Sequence, residues 1–208
     1  MVNNVGIIRT PSSNWNSVKR AMDFLKINNV LISQKKDFTN ISHIIIPGTG
    51  TYGDVIKDLE NQGIIDSIFA LKSEGRFVLG ICLGMQIMGE RSTENSNVSG
   101  LGWFTYSCIN FENIQNENKE LKTPHTGWNF VNSIKTTASN IINEGDYYFS
   151  HSFYVPINET ERISIGVTEN GLDFTSAFKE NNIIGLQFHP EKSQAKGLEA
   201  LKKFSEQK

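Results

Sequence analysis

The sequence predicts an α/β fold: an open, mostly parallel sheet flanked by helices, with added antiparallel strands in its second half. Two patterns carry this expectation. In the first half, short β-rich runs alternate with stretches of helical periodicity, as parallel strands joined by crossover helices do. After residue 100 the strand candidates succeed one another without long helices between them, which favours antiparallel pairing.

The parallel strands are expected at residues 5–8, 30–32, 44–46 and 77–81. Between the first two, Val18, Ala21, Met22 and Leu25 follow the i, i+3, i+4, i+7 spacing of a buried helical face, and Ser12, Ser13 or Asn14 can cap its start. Between the third and fourth, Val55, Ile56 and Leu59, then Ile64, Ile65, Ile68 and Leu71, predict a helical stretch interrupted near Gly63 and ending at Gly75. A helix begins near Leu83. Further strands are expected at residues 101–111, 147–155, 162–168 and 183–188. The polar, Asn/Glu-rich residues 110–122 read as a surface loop, and Ala195, Leu198 and Leu201 mark a closing helix.

A chain of 208 residues can bury a substantial core, and no repeat or low-complexity linker divides it, so residues 1–208 are expected to form one domain. The formal net charge is −2, which gives no broad basic field for nucleic acid or anionic lipid. No stretch approaches the roughly 20 apolar residues of a membrane span, and no basic segment leads into an apolar run at the start. A soluble cytoplasmic protein without nucleic-acid or membrane partners is the simplest expectation. The histidines and two cysteines show no Cys-x-x-Cys or His-x-x-x-His spacing, so no metal and no cofactor are expected. Cys108 reads as a small core residue.

Chemistry concentrates at Cys82. The apolar run 77–81 leads into Gly80-Ile81-Cys82-Leu83-Gly84 and then a helix, the arrangement that displays a nucleophile on a strained turn above the sheet. There the following amides, beginning with Leu83, point toward a substrate carbonyl oxygen. A free thiol has a pKa of about 8.5, so Cys82 needs a base or an imidazolium partner. His189 can supply it. Glu191 lies at i+2, on the same side of an extended chain, and can orient and charge-stabilise the imidazole. The competing reading is a core cysteine with an unrelated surface histidine and glutamate. Pro47-Gly48-Thr49-Gly50 follows the third strand, places backbone amides at the carboxyl end of the sheet and could complete an oxyanion hole.

Pro47-Gly48-Thr49-Gly50, Gly80-Ile81-Cys82-Leu83-Gly84-Met85-Gln86, Pro124-His125-Thr126-Gly127-Trp128-Asn129 and Gly185-Leu186-Gln187-Phe188-His189-Pro190-Glu191-Lys192-Ser193 together resemble the class I (triad) glutamine amidotransferases over nearly the whole chain. The resemblance implies a flavodoxin-like fold and a Cys82, His189, Glu191 triad that attacks the side-chain amide of glutamine, releases ammonia and leaves a glutamyl thioester. It implies oxyanion amides from Gly50 and Leu83, and glutamine contacts from Gly50, Gln86, Glu94, His151, Ser152 and Phe153. Pro-His-x-Gly-Trp-Asn and Tyr148-Phe149-Ser150-His151-Ser152 favour the branch that passes ammonia to a separate cyclase subunit of (β/α)8-barrel type in histidine biosynthesis. The resemblance thus implies a heterodimer, with Asn14, Trp128, Asn129, Tyr148 and Lys192 at or near the contact. His43 and His125 are expected to be structural.

The chain also departs from the family. Where Asp-Tyr-Gly-x-Gly-Asn is common after the first strand, it reads Arg9-Thr10-Pro11-Ser12-Ser13-Asn14, keeping only the asparagine. Thr49 and Thr126 are milder departures. These leave three alternatives: a paralogue supplying ammonia to a surface-sugar amidating synthase, a non-catalytic binding subunit, and a thiol hydrolase of other γ-glutamyl compounds.

Overall fold

The computed structural model describes residues 4–114, 121–133, 141–160 and 163–208. Strand β1 (Val5–Ile8) is followed by helix α1 (Trp15–Phe24), β2 (Asn29–Ile32), β3 (His43–Ile46), α2 (Tyr52–Asn61), α3 (Ile65–Ser73) and β4 (Phe77–Ile81). The chain continues through α4 (Leu83–Gln86), β5 (Arg91–Ser92), β6 (Ser107–Asn110), β7 (His125–Ser133), β8 (Gly145–His151), β9 (Phe153–Tyr154), β10 (Ser164–Glu169), β11 (Asp173–Glu180), β12 (Ile183–Leu186) and α5 (Gln194–Ser205).

Nine strands form one sheet in the order β2-β1-β3-β4-β12-β11-β10-β7-β8. The five from β2 to β12 run parallel, and β11, β10, β7 and β8 extend the same sheet by antiparallel pairing. The expected α/β architecture is therefore present, and its antiparallel half continues the parallel one. A small second sheet has the order β5-β6-β9.

Strand alternation divides the core in two. Val5, Ile7, Ile45, Leu79 and Ile81 point to one face and pack with Val18 and Met22 of α1 and Leu201 and Phe204 of α5. Ile8, Ile44, Ile46 and Val78 point to the other and pack with Val55 and Leu59 of α2 and Ile68 and Leu71 of α3. Because helices cover both faces, β1, β3 and β12 are buried along their whole length, which is why they read as continuous apolar runs.

Several expectations need correction. Asn14 is the N-cap residue of α1 but makes no side-chain capping bond; its amide is used elsewhere. The strand expected over 101–111 is confined to Ser107–Asn110, because the amides of Leu101 and Trp103 turn back onto the carbonyls of Ile87 and Met88. Phe111–Ile114, inside the expected loop, forms a 3-10 turn, while 115–120 of that loop and the start of the strand expected at 162 lie outside the described residues. The strand expected over 147–155 is split after His151, and the one expected to reach 188 ends at Leu186. The closing helix buries Gly197, Ala200, Leu201 and Phe204, leaving Ala195 exposed. Strands β5, β7 and β11 were not anticipated.

Candidate active site

The strand order turns from β2 to β3 on either side of β1, and the carboxyl ends of strands around such a switch form the crevice where open α/β sheets bind ligands. Here the loops after β1, β3, β4 and β12 meet. Cys82 follows β4 directly with φ +52° and ψ −108°, a left-handed, strained conformation for a non-glycine residue. Its amide is anchored by donating to the carbonyl of Leu186 at 2.7 Å. A side chain at Gly84 would overlap the Ile46 carbonyl oxygen, and one at Gly48 would overlap the Gly84 amide, so the elbow and the Pro47–Gly50 loop approach backbone to backbone. Gly50 takes φ +95°.

A cavity of about 340 Å³ opens over the elbow. Of the residues singled out in the sequence, Gly50, Cys82, Leu83, Gln86, Glu94, His151, Ser152, Phe153, His189 and Lys192 line it. Glu191 stands behind His189, whose Nδ1 lies 2.8 Å from Glu191 Oε1, both side chains being buried. The ring is fixed through its backbone: the His189 amide donates to the Tyr148 carbonyl at 2.8 Å, and the Ser193 hydroxyl donates to the His189 carbonyl at 2.6 Å. Burial disfavours an imidazolium here. The Cys82 sulfur, as neighbouring charge and hydrogen-bond partner, and then the Glu191 carboxylate outweigh that penalty and push His189 up to about 10.

Glu191 Oε1 also accepts from Asn14 Nδ2 at 2.6 Å, which is where the uncapped asparagine of α1 spends its amide. Glu94 Oε2 accepts from the Tyr52 amide at 2.6 Å at the start of α2. Gln86 is 4% exposed, and its Nε2 donates to the Phe153 carbonyl at 2.9 Å and to Gln187 Oε1 at 3.1 Å. On the neighbouring surface, Trp128 and Phe130 project from β7 at 49% and 42% exposure. Trp128 meets Tyr148 edge-on, and the Lys192 ammonium lies 5.6 Å from the centre of the Tyr148 ring.

The class-I glutamine amidotransferase model matches residues 12–207. This chain belongs to that family. It is 32% identical over 201 residues to the imidazole glycerol phosphate synthase subunit HisH of Geobacillus thermodenitrificans (strain NG80-2), covering 96% of this chain and 94% of the relative. It is 36% identical over 204 residues to the HisH subunit of Caldanaerobacter subterraneus subsp. tengcongensis, with 97% of each covered. Among solved structures, PurLQS from Thermotoga maritima superposes with a TM-score of 0.74 at 16% identity over 98% of each chain. A glutamine amidotransferase crystal structure also gives 0.74, at 15% identity over 96% of each. At those identities the structural likeness carries the fold alone.

Two residues at the site had no role assigned from sequence. Gln187 is fully buried and its Nε2 lies 3.6 Å from Cys82 Sγ. His125, expected to be structural, lies 2.9 Å from the ring of His151. Both left a signal: a glutamine between Leu186 and Phe188 at the end of an apolar strand requires buried partners, and His125 and Asn129 at i, i+4 share one strand face. Cys108 is fully buried, its Sγ is 3.7 Å from the Gln86 carbonyl, and burial pushes its thiol up. Both cysteines are free. No described helix is long and apolar enough to cross a membrane.

Proposed function

We propose that the chain is the glutaminase subunit of an imidazole glycerol phosphate synthase, hydrolysing glutamine to glutamate and ammonia for a cyclase subunit in histidine biosynthesis. Near full-length similarity to HisH subunits supports the biological assignment. The observation that carries the chemistry is His189, which lines the cavity beside Cys82 and is engaged by both the Cys82 sulfur and the Glu191 carboxylate behind it.

In this reading Cys82 attacks the side-chain carbonyl carbon of glutamine as a thiolate. The amides of Gly50 and Leu83 face the oxygen that becomes negative. His189, protonated and held so by its neighbours, gives its proton to the leaving nitrogen, the C–N bond breaks and ammonia departs. His189 then takes a proton from water, whose hydroxide attacks the thioester carbon; the C–S bond breaks, glutamate leaves, and the Cys82 thiolate beside protonated His189 is restored. Glu191 keeps Nδ1 of the ring engaged, so Nε2 is the nitrogen that exchanges the proton. Gln86, Glu94, His151, Ser152 and Phe153 line the space for glutamine, and one functional unit spans residues 1–208.

The partner is a separate (β/α)8-barrel cyclase, docked in a heterodimer on the surface of Asn14, Trp128, Asn129, Tyr148 and Lys192. Aromatic anchors beside a cation are a common composition for such contacts. The reading places the chain in the cytoplasm. Ammonia release from glutamine, measured with and without a substrate-loaded cyclase subunit, tests it: weak activity alone and strong stimulation are expected. Stimulation by a sugar-amidating synthase in place of the cyclase overturns the partner, and no ammonia with any partner overturns the glutaminase.

A further inference from the structure

Polar side chains, all buried except Asn129, link the proposed nucleophile to the face of β7 that bears His125. Gln187 Nε2 lies 3.6 Å from Cys82 Sγ, and Gln187 Oε1 accepts from Gln86 Nε2 at 3.1 Å. The other hydrogen of the Gln86 amide goes to the Phe153 carbonyl, 2.9 Å away. That carbonyl is also 2.7 Å from His151 Nδ1, His151 Nε2 is 2.9 Å from His125 Nδ1, and His125 Nε2 is 3.0 Å from Asn129 Nδ2.

The direction of every link follows from groups with no choice. Asn129 is oriented by two backbone contacts, Nδ2 donating to the Glu169 carbonyl at 2.8 Å and Oδ1 accepting from the Phe130 amide at 2.7 Å. It therefore donates to His125 Nε2. The Phe153 carbonyl can only accept, so His151 carries its hydrogen on Nδ1. Between them, His125 Nδ1–H donates to His151 Nε2. This requires both rings to be neutral, and burial pushes His125 down to about 4 and, with His125 as an added neighbour, His151 down to about 3. At the other end, the amide orientation forced on Gln86 by Phe153 makes Gln187 accept through Oε1, which leaves Nε2–H for the sulfur.

The surroundings do not call for polar side chains. His125 packs on Phe149 and Phe174 at 4.7 and 5.6 Å between ring centres, and His151 on Phe111 and Phe174 at 5.5 and 5.4 Å. An apolar ring would suit these contacts equally well. A chain of six polar groups, buried but for its Asn129 end, is favourable only when every member is satisfied, and this one ends on the reacting atom.

We propose that Gln187 is a further residue of the reaction centre, donating an amide hydrogen to the Cys82 thiolate, and that Gln86, His151, His125 and Asn129 are positioning residues that hold it there. The inference rests on Cys82 acting as nucleophile. It gives the sulfur a stabilising donor, whereas the Ser150 carbonyl, 3.8 Å from the sulfur, can only favour the thiol. It also ties the glutamine-lining backbone at Phe153 to the strand that bears Trp128.

The test uses the full chain and two readouts, glutamine turnover with the cyclase present and the rate of Cys82 alkylation by iodoacetamide, which needs no glutamine. Gln187→Met, similar in size but without a donor, is expected to lower kcat by roughly 10- to 100-fold, as loss of one donor to a reacting anion does, to leave KM within about twofold, and to slow alkylation. His125→Phe, which suits the aromatic cage, is expected to give a smaller loss in the same direction. His125→Asn, whose amide nitrogen takes the place of Nδ1, is expected to restore part of it. Unchanged kcat and alkylation in Gln187→Met overturn the donor role, and a His125→Phe protein equal to the parent overturns the chain. Nitrogen NMR of the parent protein stands apart from whether any variant folds: both His125 and His151 must show hydrogen on Nδ1, and an Nε2–H tautomer on either overturns the proposal. Alkylation that follows the predicted order in a chain that never hydrolyses glutamine would sink the glutaminase reading and leave this one standing.

Discussion

The hydroxyl of Thr49 donates to the carbonyl of Ser12 at 2.9 Å. Two places where the sequence departs from its family, the residue within Pro-Gly-x-Gly and the glycine-poor loop after β1, are therefore in contact with each other. Ser12 is in turn held by Asp58 of α2, its hydroxyl donating to Oδ2 at 2.8 Å. The loop that the proposed function asks to supply an oxyanion amide is thus tethered to α2 through Ser12. Thr49→Val keeps the shape and removes the tether. A net loss of about 1 kcal/mol or less is expected in chemical denaturation, with lower glutamine turnover but unchanged alkylation of Cys82, since the sulfur is held from β4 and β12. Turnover equal to the parent would show that the tether does not position the loop.

Cys82→Ala is expected to abolish ammonia release while the protein still folds, because the change removes the nucleophile and little volume. Residual turnover above the uncatalysed rate, measured with the cyclase present, would overturn the thioester mechanism.

Asn14→Asp tests what the amide does for Glu191. The natural side chain presents a donor to Oε1 at 2.6 Å; the variant presents a second carboxylate, and two like charges at that distance disfavour each other. Turnover is expected to fall about tenfold or more, with Asn14→Ala milder. Because α1 gains no capping bond from Asn14, neither variant should lower stability through the helix end. If only binding to the cyclase weakens while turnover at saturating partner is normal, Asn14 serves the contact and not the triad.

The four histidines set a pH dependence of stability with two limbs, burial pushing His43 down along with His125 and His151. His189 is raised from 6.5 to about 10 in the folded protein, so its contribution is complete below pH 6.5 and is lost as pH rises toward and through 10. His125 and His151 are lowered to about 4 and 3, so between pH 6.5 and those values the unfolded chain binds more protons, and their contribution is lost as pH falls through that window. The folded state should be most stable near pH 6.5. Denaturation midpoints from pH 4 to 10 check this: His189→Asn should flatten the alkaline limb only, and His125→Asn the acid limb only.

The parallel half of the fold was legible because burial on both faces leaves a plain apolar signature, as at Ile44, Ile45 and Ile46. The elbow was legible because Gly84 meets Ile46 so closely that only glycine fits there. Strands β7 and β11 were hidden for a physical reason. β7 shows Trp128 and Phe130 to solvent and buries His125, reversing the usual pattern, while β11 buries Thr175 and Ser176, whose polarity reads as loop. The site shows the same limit. Cys82, His189 and Glu191 were visible as a motif, whereas the contact between Asn14 and Glu191 joins residues 177 positions apart and required the fold.

Trp128 is the best single probe of the partner. It is half exposed on β7 beside the exposed Phe130, supported edge-on by Tyr148, which is itself approached by the Lys192 ammonium. A large aromatic ring already held by a neighbour loses little freedom on docking, which is why tryptophan and tyrosine dominate binding energy at contacts. Its removal exposes no core, since it is outside both buried clusters. Trp128→Ala is therefore expected to leave the unfolding midpoint unchanged, to weaken binding of the cyclase subunit by about 2 kcal/mol or roughly 30-fold, and to leave Cys82 alkylation as fast as in the parent. Calorimetric titration of the cyclase into the variant measures this directly, and an unaltered dissociation constant would move the proposed contact away from β7.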